Sequence, residues 1–256
     1  MTGIAAVPPE DVKVVPLAGW RKTMAQRMAE SAHTAVHVTT IAEIDATEIV
    51  KLRLELEEMF STHITYTAFF VKAVAEALKD HALLNASLVG DNILISQRYN
   101  IGVAMARKEH GLIVPVIHDA DGKTIPEISK ALDELRKKAD ANKFSPRDLI
   151  GATFTITNPG MLGMILDTPI LNPPQAAILS AGRIVERPVV LEGRITIRSM
   201  MFACLSYDHR IIYGAEALPF LQRVKSLLEK PDILIGSNYA EFPVDASSNE
   251  STEGSA

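Results

Sequence analysis

The sequence predicts an α/β fold: a two-layer sandwich with helices packed mainly on one face of a mixed sheet. Three observations lead there. Helical and strand patterns interleave along the chain. The strand runs pair as hairpins more often than they form strict β-α-β units, which mixes their directions. And 47% of the 256 residues are hydrophobic, enough for a sizeable core. There is no internal period of about 20 to 50 residues, so a repeat architecture is not expected.

Residues 1–15, with Val7-Pro8-Pro9-Glu10 and no hydrophobic period, read as a linker or surface arm. From Gly19 to His33, the residues Trp20, Met24, Met28 and Ala32 recur four apart and lay one apolar stripe on a first helix. Val36 to Thr40 alternates as a strand does. Asp45-Ala46-Thr47-Glu48 then has the form of an acidic N-cap with Glu at N3, opening a second helix whose face runs through Ile49, Leu52, Leu56 and Met59. Thr65 can cap a third helix, rich in core formers such as Phe69, Phe70, Val74 and Leu78 and ending near His81.

Leu88-Val89 and Ile93-Leu94-Ile95 flank Gly90-Asp91-Asn92 as a hairpin. Asn100 to Ala106 and Leu112 to Ile117 make a further strand pair around Glu109-His110-Gly111. Thr124-Ile125-Pro126-Glu127 is a capping box with proline in the first turn, opening a charged helix to about Asn142. Thr153 to Thr157, Ala176 to Val185 and Ile195 to Leu205 read as strands, and a last helix follows Gly214. Ile233-Leu234-Ile235 closes the folded region, giving a domain over 16–235. Residues 236–256, rich in Ser, Asn, Glu and Gly, read as a disordered tail.

Composition narrows the function. The net charge is −5, and the 26 Lys and Arg residues are dispersed rather than gathered into the basic stripe that nucleic acid selects. Aromatics make up only 5% of the chain, too few for a base-stacking platform. No apolar run reaches the roughly 18 residues of a membrane span, and no secretory pattern opens the chain. The single cysteine, Cys204, rules out an internal disulfide framework and clustered-Cys zinc sites, so a reducing compartment such as the cytoplasm fits. Cys204 itself lies in an apolar strand run and reads as a buried small hydrophobe. His33 and His37 are four apart, yet Val36-His37-Val38 reads as strand, so no metal site is expected.

Two clusters can carry chemistry. Leu205-Ser206-Tyr207-Asp208-His209-Arg210 sits where an apolar strand ends and a helix is about to begin, an edge from which a reactive side chain can protrude. His209 is the side-chain type suited to taking a proton near neutrality. Gly151 to Gly160 is a Thr-rich strand running into an Asn-Pro-Gly turn, and Thr157 ends that strand. Taken singly, each also has a structural explanation: a loop-bonding histidine, and a threonine that suits a strand.

Together, 52 positions apart at Thr157 and His209, the two clusters resemble the catalytic domain of dihydrolipoamide acyltransferases, the acyl-transferring cores of 2-oxo acid dehydrogenase complexes. Arg21-Lys22-Thr23-Met24-Ala25-Gln26-Arg27-Met28 and Thr168-Pro169-Ile170-Leu171-Asn172-Pro173-Pro174-Gln175-Ala176-Ala177-Ile178-Leu179 extend the resemblance in the family's order over roughly 14–235. The resemblance implies the fold of chloramphenicol acetyltransferase and a homotrimer with active sites between subunits, assembled into a larger hollow core. Coenzyme A would be a substrate. The lipoyl group would arrive on a separate domain, and the dehydrogenase components would be partners. His209 would be the base, and Thr157 of a neighbouring subunit the oxyanion donor.

One position departs from that pattern. The family runs His, three residues, Asp, Gly, whereas this chain has Tyr213 before Gly214. The resemblance makes that carboxylate the partner of an arginine on the first helix, here Arg21, so Arg21 and Tyr213 are candidate loop-supporting residues. A tyrosine carries no charge near neutrality and cannot replace the ion pair. The rival readings are a catalytically weakened structural core and a chloramphenicol-type small-molecule acetyltransferase. The acyl group and the shell size are not legible in the sequence.

Overall fold

A computed structural model describes residues 13–107 and 111–235. In chain order the elements are α1 (Gly19–Thr34), β1 (His37–Asp45), α2 (Thr47–Phe60), α3 (Tyr66–Asp80), β2 (Ala86–Val89), β3 (Asn92–Ile95), β4 (Ile101–Val103), β5 (Met105–Arg107), β6 (Gly111–Ile113) and β7 (Val116–Ile117). They continue with α4 (Ile125–Asp140), β8 (Phe154–Thr157), β9 (Ala177–Ala181), β10 (Val185–Leu191), β11 (Arg194–Asp208), α5 (Gly214–Glu229) and α6 (Asp232–Ile235). The main sheet runs β1-β11-β9-β8-β4-β7, with β10 also on β11. Strands β4, β8 and β9 are parallel neighbours and the remaining pairs are antiparallel, so the sheet is mixed as expected. The hairpins β2–β3 and β5–β6 stand apart from it. Of the expected arm over 1–15, residues 13–15 are exposed and outside any element, while residues 1–12, the tail over 236–256, and Glu109 and His110 lie outside the described residues.

The pleat divides the sheet chemically. Phe154, Ile156, Leu179, Ala203 and Leu205 are buried on the face that meets the helices, where Phe154 packs its ring on Phe220 of α5. Most of α3 is buried, including Lys72, whose ammonium reaches the Asp121 carbonyl and the Glu76 carboxylate, so its charge is not stranded. The opposite face is polar. There Thr155 donates to Gln175 at 2.6 Å, Ser206 and Thr39 hydroxyls meet at 2.7 Å, and Ser180 donates to Asp167. Asp167 and Gln175 belong to the β8–β9 connection, which covers this face together with the end of α1, where Ser31 donates to the Leu171 carbonyl.

The caps at Thr65 and Thr124 form as read, the second as a full capping box. Elsewhere the structure corrects the elements. The second helix is capped at Ala46, because Asp45 stays in β1. From there its carboxylate still accepts the Thr47 N–H and the Arg198 guanidinium, serving the helix end from the strand. The run from Ala176 to Val185 is two strands, broken at Gly182, where an added Cβ would lie 1.9 Å from the Ile165 carbonyl oxygen. β10 was missed because its turn to β11 is Glu192-Gly193, both at positive φ, rather than a familiar Asn-Gly pair. Pro115, which has no N–H to donate, lies between β6 and β7 in the interrupted hairpin.

On the first helix Trp20, Met24 and Met28 are half-buried, but Ala32 faces out and Ser31 is the buried residue. Ile233 to Ile235 fall in a short helix whose Leu234 joins this chain's own core. Among the described residues no helix is long and apolar enough to cross a membrane.

Candidate active site

β11 carries fifteen residues and ends at Asp208, deep between β1 and β9. That carboxylate is 3% exposed and heavily bonded. It accepts the backbone N–H groups of Val36 and Arg210, and the Arg210 guanidinium grips both of its oxygens at 2.6 to 3.0 Å. Burial pushes the Asp208 carboxyl up, but the Arg210 guanidinium and the two N–H donors outweigh it and hold the group below the usual carboxylate range. Asp208 also fixes the turn through its carbonyl, which accepts from Ile211 and Ile212.

This clamp is the functional feature that the sequence reading missed. An Asp and an Arg two apart give no hint of pairing unless the strand end between them is known to turn. With a depressed pKa, Asp208 contributes stability that is present above its unfolded pKa and lost as pH falls through the folded one. Arg210→Met is therefore expected to cost about 2 kcal/mol at pH 7, part of the loss being made good by water because Arg210 is partly exposed. That corresponds to roughly 4 to 8 °C in Tm. The gap to the wild-type chain should narrow as pH falls through the usual carboxylate range and close only where the wild-type carboxyl, held below that range, protonates as well. A gap in thermal melts that does not narrow at all between about pH 7 and pH 3 would show that the clamp is not electrostatic.

His209 follows directly, with its backbone N–H anchored on the Val36 carbonyl at 2.8 Å. Its ring lies between two tyrosines. Tyr207 stacks at 6.0 Å between centroids, and Tyr213 meets it edge-on at 5.4 Å. Tyr213 is 54% exposed and opens α5, its N–H held by the Glu216 carboxylate. Arg21 lies elsewhere: it stands over the Trp20 ring at 5.3 Å, and among the described residues no hydrogen bond or ion pair joins it to Tyr213. The structure thus brings Tyr213 to the candidate base and leaves Arg21 beside Trp20.

Thr157 ends β8 on the polar face of the sheet, half-buried. The Asn158 amide that follows donates to Thr67 at 3.0 Å, tying the Asn-Pro-Gly turn to the start of α3. The register fixes where Thr157 lies relative to His209. Thr157 pairs with Ser180, Ser180 pairs with Cys204, and His209 is five residues further on, one past the end of β11. At about 3.4 Å per residue and 4.8 Å per strand, the two residues are roughly 20 Å apart in one chain. A hydroxyl and an imidazole so separated cannot touch one carbonyl.

Cys204 is buried, and burial pushes its thiol up, as befits a core residue. His37 opens β1 and accepts the Leu171 N–H, so it does not form a helical pair with His33. Among the described residues no group of three His, Cys, Asp or Glu is placed to hold a metal ion.

A two-layer sandwich with a histidine at one end of the sheet and a threonine hydroxyl at the other points to a class, the acyltransferase catalytic domains. The family model described as 2-oxoacid dehydrogenases acyltransferase (catalytic domain) matches residues 9–235, and the chain belongs to that family. The dihydrolipoyllysine-residue succinyltransferase component of the 2-oxoglutarate dehydrogenase complex of Rickettsia typhi is 47% identical over 219 residues, covering 84% of this chain and 55% of that protein. The chain thus spans about half the length of the curated relatives it matches.

Among solved structures, a probable dihydrolipoamide acetyltransferase from Listeria monocytogenes superposes with a TM-score of 0.83 at 40% identity, over 86% of this chain and 95% of that one. The dihydrolipoamide acetyltransferase of Azotobacter vinelandii was solved to examine the roles of a serine, a histidine and an asparagine in its catalytic mechanism. It gives a TM-score of 0.82 at 31% identity, over 90% and 99% of the two chains.

Proposed function

We propose that this chain transfers an acyl group from S-acyl-dihydrolipoamide to coenzyme A, at a site made by His209 of one copy and Thr157 of another. The roughly 20 Å between these residues within one chain carries the reading, because a base and an oxyanion donor must meet at a single carbonyl. The Azotobacter vinelandii enzyme adds support. Its serine precedes its histidine by 52 positions and its asparagine follows by four, the spacing of Thr157, His209 and Tyr213 here.

In the reaction, the His209 imidazole takes the proton of the coenzyme A thiol, and the thiolate attacks the thioester carbonyl. The Thr157 hydroxyl donates to the resulting oxyanion. Collapse breaks the carbon–sulfur bond to dihydrolipoamide, whose thiolate recovers the proton from the imidazolium. The base is needed because a thiol with a pKa near about 8.5 is mostly protonated at pH 7. The resemblance implies a homotrimer, and assembly into a hollow core would put lipoyl domains and dehydrogenase components around it as partners.

A second reading, a weakened core subunit, draws on Tyr213 standing where the family pattern has aspartate and where the spacing puts the asparagine of the Azotobacter vinelandii enzyme. Assay of acyl transfer to coenzyme A on this chain and on Tyr213→Asp separates the two. We expect turnover from this chain and a change in kcat of less than about tenfold on substitution, since acid–base catalysis rests on His209. Assembly without turnover, restored by Tyr213→Asp, would establish the second reading instead.

A further inference from the structure

Thr157, Ser180 and Cys204 stand side by side on β8, β9 and β11, so their side chains form one row across the polar face of the sheet. The Thr157 hydroxyl, at the end of the row, has no hydrogen-bond partner among the described residues. Ser180 and Cys204 are buried, and Asp167 covers both. Its carboxylate accepts the Ser180 hydroxyl, and its backbone N–H is bonded to the Cys204 sulfur. After burial itself, that carboxylate is the next cause pushing the Cys204 thiol up. Neighbouring strands lie about 4.8 Å apart, so the carboxylate comes within about 8 Å of the Thr157 hydroxyl.

The charge has little around it to offset it. Asp167 is the only charged residue from Leu149 to Gly182. The side chains just before it, Met164, Ile165 and Leu166, are apolar and exposed. Among the described residues Asp167 makes no ion pair, and the Ser180 hydroxyl fixes the carboxylate without neutralising it. The cations of this region are engaged or face away. Arg187 stands over the Phe202 ring at 5.1 Å, two positions along β11 from Cys204, but lies 3.7 Å from the Glu43 carboxylate. Arg53 and Arg183 line a groove against α2 and α3, on the helix side of the sheet.

We propose that Asp167 determines acyl specificity by charge: its carboxylate, held by Ser180 one strand away from Thr157, excludes acyl groups that end in a carboxylate and leaves uncharged chains as substrates. The inference rests on Thr157 being the oxyanion donor, since that places the thioester carbonyl within hydrogen-bond reach of its hydroxyl. In a four-carbon diacid chain the far carboxylate is three carbon–carbon bonds, about 4 Å, from that carbonyl. Two like charges are then confined to a region no wider than the Debye length at physiological salt, about 8 Å, where screening is weak. An uncharged chain of the same length meets no such repulsion. Selection therefore comes from an unfavourable contact with the wrong substrate rather than an added contact with the right one.

The test uses three donors: acetyl-dihydrolipoamide, succinyl-dihydrolipoamide and the methyl ester of the succinyl donor, which keeps the length and removes the charge. The unaltered chain is expected to transfer the ester group with a kcat/KM about 30-fold or more above that of succinyl. That comparison needs no substitution, so it stands even if a variant fails to fold. Asp167→Asn, whose amide oxygen can still accept from Ser180, should bring the two within about threefold by raising succinyl transfer, with acetyl transfer within about twofold of the unaltered chain. Succinyl transferred as fast as its ester by the unaltered chain, or a preference that Asp167→Asn does not move, overturns the proposal. Thr157→Ala, assayed alongside, separates this claim from the one beneath it. About a hundredfold loss on all three donors upholds Thr157 as oxyanion donor, so that an unmoved preference then counts against Asp167 alone. Full activity in Thr157→Ala overturns that assignment and, with it, the placing of the acyl group beside Asp167.

Discussion

His209→Ala should lower kcat about a thousandfold at pH 7 while leaving the assembly and its thermal stability near those of the unaltered chain. The size follows from the worth of a positioned proton acceptor, about 10² to 10⁴. Retained stability follows from the clamp: the turn is held by the Asp208 carboxylate, Arg210 and the backbone bonds to Val36, none of which needs the imidazole. The deficit should also depend on pH in a particular way. Without a base, the rate depends on thiolate already present in solution, which rises about tenfold per pH unit until the thiol's own pKa near about 8.5. The variant should therefore gain on the unaltered chain as pH increases, by one to two orders of magnitude between about pH 6.5 and 8.5. A kcat within about threefold of the unaltered chain at pH 7 would remove His209 from the mechanism.

Much of the fold was legible because periodicity and capping are local signals. α3 announces itself through Thr65 and an apolar run, and α4 through its capping box and Pro126. The errors fall where a distant contact decides. Gly182 ends β9 because the Ile165 carbonyl crowds it, and Asp45 remains in β1 because Arg198 lies across the sheet to bind it. No window of sequence contains both partners. The site shows the same division. His209 and Thr157 are recognisable as residue types at strand ends, and the order of the motifs supplies their family. Their separation is a matter of register: Thr157 to Ser180, Ser180 to Cys204, then along β11. The pairing of Asp208 with Arg210, and the placing of Tyr213 against His209 with Arg21 elsewhere, are likewise consequences of the turn after β11. Tyr213 could be identified from the sequence as a departure, but its neighbour could not.

That separation yields the sharpest test, because it concerns chains in pairs. Thr157→Ala alone should lower kcat about a hundredfold, the usual worth of one oxyanion donor. His209→Ala alone should lower it further. When the two variants are unfolded together in equal amounts and reassembled, a working site forms wherever a Thr157→Ala copy supplies its intact His209 to a His209→Ala copy that supplies its intact Thr157. In a head-to-tail ring each site takes its histidine from one copy and its threonine from the next, so random mixing makes about a quarter of the sites whole. Activity should then rise to about a quarter of that of the unaltered chain, far above either variant by itself. If each chain carried its own complete site, mixing would give only the average of the two crippled rates. The register makes that second outcome untenable for any reaction using both residues on one carbonyl, since roughly 20 Å of sheet would have to collapse within a single chain. An averaged rate would therefore show that Thr157 does not act at the carbonyl that His209 serves.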